Sequence, residues 1–114
     1  MSALLDPPGK PGRPTCPNWD KDFIDVEWTP PKDDGGAPIE KYIIQMRDKD
    51  SRNWEDAMTV PAEKTIARVT AVQERHEYEF RVVAVNKAGK SEPSDPSKSV
   101  VAKPRFCKLI SMNV

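Results

Sequence analysis

The 12 prolines of this 114-residue chain constrain its fold more than any other feature, because they are grouped rather than scattered. Five lie in the first 17 residues (Pro7, Pro8, Pro11, Pro14 and Pro17) and three bracket one glycine-containing stretch (Pro30, Pro31 and Pro38). Pro93 and Pro96 share a polar stretch, while Pro61 and Pro104 stand alone. Proline has no amide hydrogen to donate to a ladder or a helix, so it marks edges, turns and linkers. The regular elements must lie between these groups, and there the sequence repeats with a period of two.

Phe23 to Thr29 sets Ile24, Val26 and Trp28 on one face and Asp25 and Glu27 on the other. Ile39 to Arg47 alternates Tyr42, Ile44 and Met46, Trp54 to Val60 reads as a short strand, and Thr65 to Val69 alternates Ala67 and Val69 with Ile66 and Arg68. The longest run, Glu77 to Asn86, turns Tyr78, Phe80, Val82 and Ala84 inward. Its other face carries Val83 and Val85, which predicts a central strand. Pro30 to Pro38 and Asn86 to Gly89 have turn composition. With an irregular first strand over Arg13 to Trp19 and a short last one over Ser99 to Lys103, seven strands are expected. Ala62 to Glu79 lacks proline and glycine, but its apolar residues do not keep a 3.6 spacing, and its β-branched pairs favour strand. The expected fold class is all-β, a seven-stranded antiparallel sandwich. An odd number of alternating strands admits the chain at one pole and releases it at the other, which suits a tandem array.

The same residues exclude several kinds of chemistry. Eighteen basic residues balance 18 acidic ones, whereas a nucleic-acid binder carries a basic excess. No apolar run approaches the roughly 18 residues of a membrane span, and the first residues lack the pattern of a signal peptide. The absence of an Asn-x-Ser/Thr acceptor favours an intracellular home. Cys16 and Cys107 sit near opposite ends and form neither a disulfide framework nor a zinc site. His76 is the single histidine, between Arg75 and Glu77 at a predicted turn, and reads as an exposed loop residue. No nucleophile elbow or phosphate-binding glycine loop occurs, so no catalytic, cofactor or metal residue is assigned. Asp48-Lys49-Asp50-Ser51 starts like a calcium loop, yet Asn53 stands at the glycine position and Thr59 at that of the bidentate glutamate. It reads as a solvated loop.

Two sequence stretches resemble a known family. Ile24-x-Val26-x-Trp28-Thr29-Pro30-Pro31, then Asp34-Gly35-Gly36 and Ile39-x-x-Tyr42-x-Ile44, resemble the B to C region of a fibronectin type III domain. Tyr78-Glu79-Phe80-Arg81-Val82-x-Ala84-Val85-Asn86-Lys87-Ala88-Gly89 resembles its F strand and F–G turn, with Val72 at the position of a small core aliphatic. The proline-rich start and the Glu92-Pro93-Ser94 that follows the turn are most similar to type III modules of giant muscle proteins such as titin, twitchin and projectin. The resemblance implies an immunoglobulin-like sandwich with Tyr78 at the E–F corner, its hydroxyl bonded to upstream backbone. The expected core is Ile24, Val26, Trp28, Tyr42, Ile44, Val69, Val72, Tyr78, Phe80, Val82 and Ala84.

The resemblance further implies a non-catalytic scaffold module in a cytoplasmic, sarcomeric array on the thick filament of the A-band. Its partners would be neighbouring immunoglobulin-like and type III modules and thick-filament proteins such as myosin, with no nucleic acid and no membrane; a kinase belongs only to other parts of such proteins. Residues 1–10 read as a proline-rich linker, 11–103 as the domain, and 104–114 as a tail or the start of a next module. Cys16, Pro17 and Trp19 depart from the family pattern and suggest a broken or bulged first strand. The partner contacts to examine are Trp19, which nothing in the pattern buries, and Pro8, Pro11 and Arg13. The last three satisfy the P-x-x-P-x-Arg spacing read by SH3 domains. The alternative reading is therefore an adaptor or an extracellular adhesion domain.

Overall fold

A computed structural model of the chain describes residues 4–104. Its strands are β1 (Thr15–Trp19), β2 (Ile24–Glu27), β3 (Lys41–Asp48), β4 (Glu55–Pro61), β5 (Ile66–Val69), β6 (Glu77–Asn86), β7 (Gly89–Lys90) and β8 (Val100–Val101). They form two antiparallel sheets, β1-β2-β5 and β4-β3-β6-β7, with β8 also paired to β6. The register follows the alternation. Ile24 faces Val69 and Val26 faces Ala67 across one sheet, while Tyr42 faces Ala84 and Ile44 faces Val82 across the other.

These facing sets close one core. Ile24, Val26, Tyr42, Ile44, Val69, Phe80, Val82 and Ala84 are at most 1% exposed, with Trp28 and Tyr78 only slightly more. Each large apolar side chain removed from water in this way contributes about 1.5–3 kcal/mol. Trp28 meets Tyr42 edge to face, with ring centroids 5.4 Å apart, the arrangement that brings a ring's positive edge to its neighbour's negative face. Val72 is placed differently from expectation: it is half-buried and packs on the margin of this core. A second buried patch, Ile43, Val83 and Val85, lies on the outer face of the larger sheet.

The first strand is bulged. Thr15 pairs Glu27 and Asn18 pairs Asp25, so three steps on β1 oppose two on β2. The extra residue falls at Cys16-Pro17, where proline offers no amide to the ladder.

The last strand departs further from the expected Ser99 to Lys103. Between β7 and β8 the chain stays on β6 but with its own repeat. Ser91, Ser94 and Ser97 donate their amides to the carbonyls of Ala84, Val82 and Phe80. Their hydroxyls accept the amides of those same three residues, at 2.9 to 3.0 Å. Three residues of this closing segment therefore advance over two of β6, about 6.8 Å. That is roughly 2.3 Å per residue, shorter than either a strand or a polyproline helix. In a regular ladder the acceptor would be a carbonyl of the same residue. Here each turn of the segment swings that carbonyl away, and the serine hydroxyl replaces it. Each hydroxyl then donates to the next residue's carbonyl, so each serine side chain is used both as acceptor and as donor.

Candidate functional site

One pole of the sandwich is organised around a buried side chain, Asn86, at the end of β6. Its amide nitrogen donates to the carbonyls of Asp6 at 2.8 Å and Asp34 at 2.7 Å. Its amide oxygen accepts from Ala88 and Gly89. Asn86 thereby ties the N-terminal segment, the β2–β3 turn and the β6–β7 turn together, with both ends of its amide satisfied. The turn is built to match. Asp33 and Asp34 cap the amides of Gly35 and Gly36, and both glycines take positive φ, 78° and 93°. A Cβ on Gly35 would lie 2.0 Å from the Asp6 carbonyl oxygen, so only glycine admits the N-terminal segment this closely.

That segment is part of the fold. The amides of Asp6, Gly9 and Gly12 donate to the carbonyls of Gly35, Asp33 and Thr29, and Pro8, Pro11 and Pro14 are buried. Two expectations change as a result. Residues 6–10, read as a linker, are seated on the domain. Pro8 and Pro11, read as partner contacts, bury their rings against the domain's own surface. Arg13 remains outside, 61% exposed and 3.8 Å from Asp95, which also takes Lys10 at 3.2 Å.

The opposite pole adds charged pairs to its backbone hydrogen bonds. Gln73 donates its amide to the Tyr78 hydroxyl at 2.8 Å, which closes the tyrosine corner. Arg75, at a positive φ of 75°, donates to the Ala102 carbonyl, and Ala102 donates to that of His76. His76 lies over Tyr78 and meets Asp48 at 2.7 Å, while Lys49 meets Glu77 at 3.4 Å. The His76 ring and the Asp50 amide hold the Asp48 carboxyl below its ordinary value. Ser99, with Lys49, does the same for Glu77. These contacts join the β3–β4 loop to the corner before β6 and give His76 a structural partner.

On the outer face of the larger sheet, the Trp54 ring meets the guanidinium groups of both Arg47 and Arg81, 4.6 and 4.5 Å from its centre. Arg47 pairs with Glu79, and Arg81 donates to Gln45. On the other sheet Arg68 binds Asp25 through two nitrogens and covers Phe23. These arginines are committed to the domain's own surface.

Trp19, half-buried, lines an open groove of about 540 Å³ between β1 and the closing segment. Cys16 lines it too, and burial pushes its thiol up to about 11, so it stays protonated and unreactive at neutral pH. The predicted tail and Cys107 lie outside the described residues. Among the described residues no cluster of histidine, cysteine or carboxylate groups is arranged to hold a metal ion.

Residues 9–100 match the family described as fibronectin type III domain, and the chain belongs to it. It is 38% identical over 98 residues to human Myomesin-2, covering 86% of this chain and 7% of that protein. It is 34% identical over 100 residues to Titin of Drosophila melanogaster, covering 88% of this chain and 1% of that protein. Domains A168–A170 of titin superpose with a TM-score of 0.82 at 31% identity, over 86% of this chain and 33% of that one. The chain thus spans less than a tenth of these two relatives. It is a non-catalytic type III domain similar to those of titin and myomesin, muscle proteins built of many domains.

Proposed function

We propose that this domain is a spacing and mechanical module in the tandem array of a titin-like sarcomeric protein, contributing elasticity and attachment along the thick filament of the A-band. Its partners are then the neighbouring immunoglobulin-like and type III modules and thick-filament proteins such as myosin. The observation that carries the reading is the placement of the leading and closing segments on β6. Asn86, at one end of this ten-residue strand, holds Asp6, and Glu77, at the other, pairs with Val101. The leading and closing segments therefore meet the domain about 30 Å apart, at opposite poles. Tension along that axis pulls the ladders of β6 in shear, so many hydrogen bonds must fail together. The relatives support the muscle setting.

Single-molecule extension between residues 4 and 104 tests the reading. The expected record is one force peak releasing about 300 Å of chain. Extension without a peak would overturn it.

A further inference from the structure

We infer that the groove between β1 and the closing segment is a docking site for an acidic, extended peptide segment carrying one large apolar side chain. The floor is apolar: Pro14 is fully buried, and Cys16, Trp19 and Val100 line the space, the thiol being neutral. A pocket of this size and lining takes one leucine-sized or aromatic side chain readily. The rim carries one sign of charge. Arg13, Lys98 and Lys103 are the charged residues lining the groove, all three are exposed, and no carboxylate lines it among the described residues. The Arg13–Asp95 contact is long and lies in water, so it yields easily to a carboxylate brought by a ligand. In a chain of zero net charge, three cations around one apolar opening are a local departure. They select the partner. An acidic segment gains at the rim what a neutral one does not, and a basic one is repelled. The chain's own residues after Pro104 begin with Arg105 and carry Lys108, the same sign as the rim, and so complement it poorly.

The test uses a synthetic nine-residue peptide of glutamates, aspartates and serines around a central leucine, titrated into the labelled 114-residue chain and followed by amide and indole resonances. Shifts are expected at Cys16, the Trp19 indole and Val100, fading as salt rises. Replacing the leucine by serine, or the acidic residues by lysine, is expected to weaken binding about tenfold or more. The triple variant Arg13→Glu, Lys98→Glu, Lys103→Glu, which touches only exposed side chains, is expected to lose binding to the same degree and keep its thermal stability.

Equal binding of the lysine or serine peptide, or shifts elsewhere on the domain, would overturn the proposal. So would a chain ending at Pro104 whose groove resonances differ from those of the full chain without peptide, since that assigns the groove to residues 105–114. Groove shifts that grow with protein concentration alone would assign it to a second copy, with the same consequence.

Discussion

Two proline-rich stretches border this domain, one before β1 and one after β7, and they solve different problems with similar spacing. The leading stretch lies on the β2–β3 turn, which presents carbonyls at Thr29, Asp33 and Gly35. The amides of Gly35 and Gly36 are already satisfied by Asp33 and Asp34. Only donors are needed there. Asp6, Gly9 and Gly12 supply them, and the positions two residues after each, Pro8, Pro11 and Pro14, are free to bury a ring. The closing stretch lies on the edge of β6, where Phe80, Val82 and Ala84 each present an amide and a carbonyl. Both must be met. Serine supplies a backbone donor and a side-chain acceptor from one position, so serine takes the buried third place, while Pro93 is only half-buried and Pro96 is exposed. What a bordering segment buries is thus decided by which hydrogen-bonding groups its neighbour leaves unmet.

The largest break in this comparison is expected from Asn86→Ala. It strands the carbonyls of Asp6 and Asp34 and the amides of Ala88 and Gly89, a loss of about 3–5 kcal/mol in urea unfolding. Amide exchange at Asp6, Gly9 and Gly12 should rise by more than the fall in global stability accounts for, whereas Val82 should track that fall alone. Uniform loss of protection would mean that the leading segment has no separate anchor.

The next effect sharpens the contrast. Ser94→Ala leaves the buried Val82 amide without its acceptor and should cost about 1–3 kcal/mol. Pro11→Ala removes a ring and loosens the unfolded chain but orphans no polar group, so about 1 kcal/mol is expected. Equal costs would erase the distinction between the two stretches.

The smallest effect separates the poles by pH. Asp48 is held below its ordinary carboxylate value in the folded chain, so its contribution is complete above the unfolded value near 4. It is lost as pH falls through the folded value, and Glu77 acts in the same direction. Melting temperatures followed downward from pH 6 should therefore fall less in Asp48→Asn than in the parent chain. Asn86→Ala should keep the parent's pH slope, because the four hydrogen bonds it removes join neutral groups.

Much of this domain was legible in its sequence where a repeat of two coincided with burial. Ile24, Val26 and Trp28, and Tyr78 to Ala84, declare a buried face through alternation alone, and β6 has the predicted bounds Glu77–Asn86. The irregular first strand was legible as well, since Pro17 cannot serve a ladder. The spacing of Pro8 and Pro11 was legible too, whereas the matching repeat of Ser91, Ser94 and Ser97 has no period-two pattern to announce it. The meaning of the proline spacing was not legible. A three-residue proline spacing serves a partner domain as well as a protein's own surface, and nothing local tells them apart. Asn86 read as a turn residue for the same reason: Asp6 and Asp34, which its nitrogen reaches, lie 80 and 52 positions away. Val72, the Arg47–Trp54–Arg81 stack and the groove beside Trp19 also depend on where elements distant in sequence come to lie.

Alternation, proline and glycine act on the chain within a few residues, and so the strands up to β6, most of their inward faces and the turns follow from local sequence. Only the tertiary structure decided what the prolines do. Before β1, Pro8, Pro11 and Pro14 are buried parts of a mount that Asn86 holds, and after β7, Pro93 and Pro96 lie between the buried rungs of a serine ladder. A segment's periodicity shows which of its residues share a face. Whether that face is used is settled by the donors and acceptors that the rest of the fold brings to meet it.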